Sequence, residues 1–266
     1  MNGMAEAIPF VLAATKHGSM IVNRLDHTRQ EGGTHSYGVG GDILANGAFQ
    51  PNDVATLLNL LALRRRHFGD GVVALDVGAN IGVHTIEWAR AMDGWGRVLA
   101  IEPQPRVFYA LAGNIALNNC FNADALHAAC TAEPGEVRVP LLDHRSSASF
   151  GSLPLRPSSN VADVGQKVDY SQAATAPVAG VPIDRLGLAR LDLLKVDVEG
   201  MEAEVLRGAV ATLASCRPAI FVEYVYAGWD RLADVLEPLG YSFFRSGMDM
   251  LALHRDDPGR SSITQA

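Results

Sequence analysis

The chain has 266 residues, 48% apolar and 19% charged, which suits one large α/β domain, or a domain with a short appendage, and permits a full core. A formal charge of −7, a pI near 5.6 and no long run of like charge exclude a nucleic-acid footprint and a polybasic membrane anchor. Cys120, Cys130 and Cys216 lack metal-ligand spacing and leave one over if two pair, so reduced packing thiols in a cytoplasmic protein are expected.

At the N-terminus, "IPFVLAA" is too short to span a bilayer and has no basic residues before it, so neither secretion nor membrane insertion is expected. "PFVLAATKHGSMIVNR" places two β-rich runs around Lys16-His17-Gly18 and predicts a hairpin. A polar, glycine-rich stretch runs from Glu31 to Gly47. "PNDVATLLNLLALRRRHF" then predicts a helix capped by Asn52 or Asp53, with Val54, Leu57, Leu58 and Leu61 on one face. Residues 1–70 therefore read as a hairpin and helix covering a main domain at 71–255, with a tail at 256–266.

From Gly71, short apolar runs alternate with helix-length segments. The runs are "GVVALDV", "RVLAIE", "DALHAA", "LDLLKVDV" and "AIFVEY". The segments between them are "VHTIEWARAM", "PRVFYALAGNIALNN", "MEAEVLRGAVATLAS" and "WDRLADVLEPL". Continuous apolar strands alternating with helices predict a parallel sheet covered on both faces. "YSFFRS" and "DMLALHR" flank Gly247-Met248 and predict an antiparallel hairpin at one edge. Residues 143–177, poor in large apolar side chains, read as a functional lid or an unstructured insertion.

In "LDVGANIGVHT" the first strand ends in a turn bearing Gly78 and Gly82, which brings backbone N–H groups and a helix N-terminus to a ligand. The middle glycine of the dinucleotide fingerprint falls on Asn80, and Asp76 at the strand end would repel a pyrophosphate. S-adenosylmethionine has no phosphates and carries a sulfonium and an ammonium, so the acid and the exposed amides suit it. Glu102, ending the second strand, is placed to accept hydrogen bonds from both ribose hydroxyls, with Pro103 forming an apolar wall for adenine.

In "LDLLKVDVEG", Lys195, Asp197 and Glu199 alternate with apolar residues, and a lysine within a covered strand requires a carboxylate partner. Methyl transfer needs an aligned acceptor and removal of a proton, roles for which Asp197 and Glu199 are the best placed. Carboxylates at adjacent strand ends also offer hard ligands, which leaves a divalent cation on Asp197 and Glu223 open. His84 reads either as a base or as a packing residue. Tyr37, His35 and Phe49 are candidates to reach the cofactor from above.

"LDVGANIGVHT", "IEPQPRVFYALAGNIALN", "SFG" at 149–151 and "LDLLKVDVEGMEAEVLRGA" together resemble the FkbM family of S-adenosylmethionine-dependent methyltransferases, from about Gly38 to the "FVEY" strand. The resemblance implies a Rossmann-like class I methyltransferase fold with a seven-stranded, mostly parallel sheet of order 3-2-1-4-5-7-6. It also implies methyl transfer to hydroxyls of sugars or polyketide-like small molecules. It would place Asp76, Gly78, Asn80 and Gly82 on the methionine side of the cofactor, Glu102 on the ribose and Asp197 near the donor methyl; Ala79 and Pro103 complete the cofactor-binding candidates, and Lys195 and Glu199 the catalytic ones. Gln50, where the family often has Glu, and the insertion at 152–177 depart from the pattern and bear on the acceptor. The alternatives are an NAD(P)-dependent oxidoreductase or epimerase and a noncatalytic cofactor-binding relative; a small-molecule acceptor is the expected partner, and homo-oligomerisation is left open.

Overall fold

The hairpin forms where the alternation places it: β1 (Phe10–Thr15) pairs antiparallel with β2 (Gly18–Asn23) around a turn at Lys16 and His17. The computed structural model describes residues 8–29, 36–158 and 163–262, so His35 and parts of the predicted cover, insertion and tail lie outside the described residues. Two short strands, β3 (Thr28–Arg29) and β4 (Ser36–Tyr37), pair with each other.

Helix α1 (Val39–Asn46) occupies a stretch whose glycines gave no helical signal. The glycines are there for proximity: a Cβ on Gly40 would overlap the backbone oxygen of Asn23 and crowd the Asp26 side chain. Helix α2 (Pro51–Phe68) is capped by Gln50, not by Asn52 or Asp53. Pro51 accounts for this earlier start, because its fixed φ and missing N–H suit the first helical position.

The main sheet follows in chain order with β5 (Val72–Val77), α3 (Val83–Ala91), β6 (Gly96–Ile101), α4 (Pro105–Leu117) and β7 (Ala123–Leu126). Outside it come β8 (Ala128–Cys130), β9 (Gly135–Pro140) and β10 (Thr175–Val181), which form a separate three-stranded sheet. The chain then returns with β11 (Leu193–Val196), α5 (Glu202–Arg207), α6 (Val210–Cys216), β12 (Ala219–Glu223), α7 (Trp229–Leu236), β13 (Tyr241–Ser246) and β14 (Asp249–His254). The main sheet runs β13-β14-β12-β11-β5-β6-β7; its own seven strands, counted in chain order from the far edge, read 3-2-1-4-5-7-6. The strands from β7 to β12 are parallel, and the β13–β14 hairpin closes one edge antiparallel.

Two expected elements divide. "DALHAA" breaks at His127, whose ring stacks on Phe108 at 4.8 Å, so its second half leaves for the small sheet. "MEAEVLRGAVATLAS" breaks into α5 and α6 at Gly208, where a Cβ would overlap the carbonyl of Thr131.

Side-chain parity along β5 sets the two cores. Val72 and Ala74 join a cluster with β2, α1, α2 and α3, while Val73, Leu75 and Val77 face α5, α6 and α7. The N-terminal hairpin and helices thus share one core with the sheet. Asp76 has the parity of Ala74 and points toward α3, as does its neighbour across the strands, Lys195.

Candidate active site

A cavity of about 490 Å³ opens beyond the carboxyl ends of β5, β6, β11 and β12, at the point between β5 and β11 where strand order reverses. One side carries Gly78, Ala79, Asn80, Glu102 and Pro103, and the other Lys195, Asp197, Glu199 and Glu223. Sequence positions far apart therefore meet around one space, with the glycine turn between the two groups of acids.

The turn is built from left-handed backbone: φ is +77° at Gly78, +53° at Asn80 and +93° at Gly82. Asn80 tolerates this because its Oδ1 accepts the N–H of Ile81 at 2.7 Å. Gly82 ends the turn and caps α3. Glu102 accepts two backbone N–H bonds, from Asn80 at 3.0 Å and from Gln104 at 2.9 Å. It is 4% exposed, and burial, only partly offset by those bonds, pushes its carboxyl up to about 7.

Asp76 is fully buried, and its Oδ1 has no hydrogen-bond partner among the described residues. Its Oδ2 accepts the Thr85 hydroxyl at 2.7 Å, and its Oδ1 stands 3.8 Å from the Lys195 ammonium. Its side chain leaves the strand on the α3 face, as does that of its neighbour Lys195, which reaches the cavity. Burial pushes the Asp76 carboxyl up, and Lys195 and Thr85 oppose that rise.

Lys195 finds the partner its position demanded: Nζ lies 3.1 Å from Asp197 Oδ2. Burial alone would lower its ammonium, but Asp197 and then Asp76 outweigh it and keep the group charged. Beyond this pair the wall is acidic. Burial, followed by the charges of Asp197 and Glu223, pushes Glu199 up to about 10; burial, Asp197 and Glu202 push Glu223 up to about 8. Ligand atoms of Asp197, Glu199 and Glu223 all lie within 4.8 Å of one another, which adds Glu199 to the expected cation pair. Among the described residues, Glu199 Oε2 and Glu223 Oε2 are buried oxygens with no hydrogen-bond partner. The amides expected to face a ligand are instead spent within the protein, Gly78 and Ala79 on Ile101 O, Asn80 on Glu102, Ile81 on Asn80 Oδ1 and Gly82 on Ala79 O. A close glycine turn, an acid at the second strand end, apolar Pro103, Ala128 and Ala129, and unsatisfied carboxylates opposite still fit a cationic adenosine compound.

His84, Tyr37 and Phe49 also line the cavity, as do Ser149, Gly151 and Leu153 from the predicted insertion. Burial, followed by Lys195 and His17, holds the His84 imidazole well below its usual range, and its Nε2 pairs with Gln50 Oε1 at 3.2 Å.

Three supporting residues gave no motif. Asp26 accepts the backbone N–H groups of Gly40 and Phe150, each at 2.9 Å, and joins α1 to the rim at Ser149–Gly151. Gln104 Nε2 donates to the Phe150 carbonyl at 2.7 Å. Asn114 donates to Ile81 O at 2.8 Å and bonds both backbone groups of Ile21, tying the hairpin to the glycine turn. Asn114 could have been found, because it continues the apolar stripe of Val107, Ala110 and Leu111 on α4, where a polar residue must be satisfied.

A mostly parallel seven-stranded sheet of this order, with its cavity at the switch point beside a glycine turn, defines the Rossmann-like class I methyltransferase fold. The methyltransferase FkbM domain model matches residues 76–243, and the chain belongs to that family. Among similar proteins, the methyltransferase sdnD of Sordaria araneosa is 29% identical over 168 residues, covering 50% of this chain and 59% of the relative. The hexuronic acid methyltransferase AglP of Haloferax volcanii is 32% identical over 160 residues, covering 59% of this chain and 57% of the relative. The chain thus spans under two thirds of the length of these curated relatives. A solved FkbM methyltransferase from Methylobacillus flagellatus KT is 17% identical, with a TM-score of 0.47, over 81% of this chain and 60% of that one. No described helix is long and apolar enough to cross a membrane.

Proposed function

We propose that this chain transfers the methyl group of S-adenosylmethionine to a hydroxyl of a sugar or polyketide-like small molecule. The observation that carries the reading is the placement of Glu102 and Asp197, the acids of two strand ends, on opposite sides of one cavity with the glycine turn between them. A relative described as a hexuronic acid methyltransferase supports a sugar-like acceptor.

In this reading the Gly78–Gly82 turn, whose N–H groups at Gly78, Ala79 and Asn80 are spent on Ile101 O and Glu102, lets the amino-acid end of the cofactor approach the backbone closely, and Gly82 opens the helix that faces it. Glu102 binds the ribose hydroxyls and Pro103 packs against adenine. Bound there, the cofactor supplies an electrophilic methyl on a positively charged sulfur. Asp197 takes the proton of the acceptor hydroxyl as that oxygen forms its bond to the methyl carbon, the carbon–sulfur bond electrons remaining on sulfur as a thioether. Lys195 holds Asp197 in place, while Glu199 orients the acceptor. Asp76 supports Lys195 and α3 from beneath the turn. The described residues of 1–70 act as a cover on the catalytic domain at 71–255, and those of the insertion at 143–177 supply part of the acceptor wall.

Calorimetric titration with S-adenosylmethionine and, separately, with NADH tests the cofactor: binding of the first and not the second is expected, and the reverse overturns the reading. Once an acceptor is in hand, Asp197→Asn is expected to bind cofactor nearly as wild type while turnover falls by about a hundredfold or more, the scale of lost general-base catalysis. Full turnover in that variant would clear Asp197 of a role in proton transfer.

The unsatisfied oxygens of Glu199 and Glu223 favour one addition, a divalent cation held by them and Asp197. It would supply charge neutralisation for the acceptor oxygen. A rise in Tm on adding magnesium chloride, abolished by Glu199→Gln, is the expected result; no rise in the wild type removes the cation.

A further inference from the structure

His17 lies in the turn of the N-terminal hairpin, is 3% exposed, and takes no part in the chemistry described above. Both its ring nitrogens are engaged. The backbone N–H of Phe49 donates to Nε2 at 2.9 Å, and Nδ1 lies 2.8 Å from Glu87 Oε1 on α3. A backbone amide can only donate, so Nε2 carries the lone pair and Nδ1–H donates to Glu87. A second bridge runs alongside. Gln50 Oε1 lies 3.2 Å from His84 Nε2, and His84 is one turn before Glu87 on the same face of α3.

The loop carrying Phe49 and Gln50 is thus pinned to α3 at two levels, with Lys16 N donating to Gly47 O at 2.8 Å as a third tie to the hairpin. Gln50 needs such fastening: its φ of +43° is unfavourable for a residue with a side chain, and more so just before proline. Phe49, Gln50 and His84 line the same cavity as the glycine turn, against the first turn of the helix whose N-terminus faces the ligand.

We propose that His17 is a positioning residue: through Phe49 N–H and Glu87 it holds the Phe49–Gln50 wall against the start of α3 and so closes the cavity over the amino-acid end of the cofactor. The inference rests on the S-adenosylmethionine reading. It assigns to a hairpin turn outside the matched family segment a share of cofactor affinity that depends on the amino-acid moiety alone.

The test uses two ligands on the full chain, S-adenosylhomocysteine and 5′-methylthioadenosine, which lacks the amino-acid end. His17→Gln places an amide oxygen where Nε2 was and can still accept from Phe49, whereas His17→Asn reaches only toward Glu87. His17→Asn is expected to weaken S-adenosylhomocysteine about tenfold, the scale of one buried hydrogen bond lost, and to leave 5′-methylthioadenosine within about twofold. His17→Gln should recover most of the affinity. Should the asparagine variant not fold, Glu87→Ala, at a half-buried partner, is expected to show the same selective loss to a smaller degree. Equal weakening of both ligands, or unchanged binding of S-adenosylhomocysteine, overturns the inference alone. Wild-type protein that binds neither ligand overturns the cofactor reading and this inference with it.

Discussion

The backbone of Gly78 passes so close to Asp197 that a Cβ on the glycine would overlap the aspartate's carbonyl oxygen. The turn after the first strand of the main sheet and the acid after its fourth strand are therefore one packed unit. Gly78→Ala adds this overlap to the cost of φ +77°, about 1–2 kcal/mol for a residue with a Cβ. With overpacking of about 1–3 kcal/mol, a Tm lower by about 5 °C or more is expected, together with lost cofactor binding. A variant melting with the wild type would show that the two strand ends are not coupled.

Lys195→Met leaves the buried carboxylate of Asp76 without its cation. Removing one partner of a buried ion pair costs about 3–5 kcal/mol, and urea unfolding at neutral pH should read a loss of that order. The deficit should shrink on acidification, because protonated carboxylates no longer need the ammonium. A deficit independent of pH would mean that Lys195 contributes by packing alone.

Glu102→Gln replaces an acceptor of two amide bonds with a group that must turn one N–H toward a donor. Adenosine-compound affinity is expected to fall about tenfold or more. In the wild type, affinity should rise between pH 6 and 8 as the Glu102 carboxyl, held up to about 7, ionises. An affinity flat across that range would remove the ribose role of the carboxylate.

Buried acids in and around the site also set the pH dependence of the ligand-free fold. Asp26 is pushed up to about 6, Asp249 to about 7 and Glu223 to about 8, in each case first by burial. A raised carboxyl binds more protons folded than unfolded between the two pKa values, so the slope of unfolding free energy against pH is negative there. Stability from these groups is fullest below about pH 4 and falls as pH rises toward about 8. Glu223→Gln should flatten the upper part of that decline in urea titrations; an unchanged profile would mean that Glu223 is not the group responsible.

The alternation of apolar runs and helices was enough to place the parallel strands and the closing hairpin, because strands covered on both faces have no competing reading at that length. Lys195 was equally legible, since a lysine in such a strand must find an acid. Asp76 was read from its closeness to the glycine turn, and the period-two alternation from Val72 adds that its side chain leaves the strand on the α3 face beside Lys195. The small sheet of β8, β9 and β10 was hidden because "TAPVAGV" begins inside the 143–177 segment, whose composition reads as loop. His17 and Asp26 were invisible for another reason, as their partners are backbone amides, and no side-chain pattern records where an amide will point.

Asp26 has a bearing on how the chain tolerates change. One carboxylate anchors α1 and the stretch at Phe150, so the near bank of the 143–177 insertion is moored. Its far bank is tied to the near one, with Ser149 N–H donating to Val164 O at 2.9 Å and Val164 buried, so residues lost or gained between these two ties can be absorbed with the glycine turn undisturbed. Such a scaffold lets the outer wall be rebuilt for new molecules while the floor beneath it stays as it is.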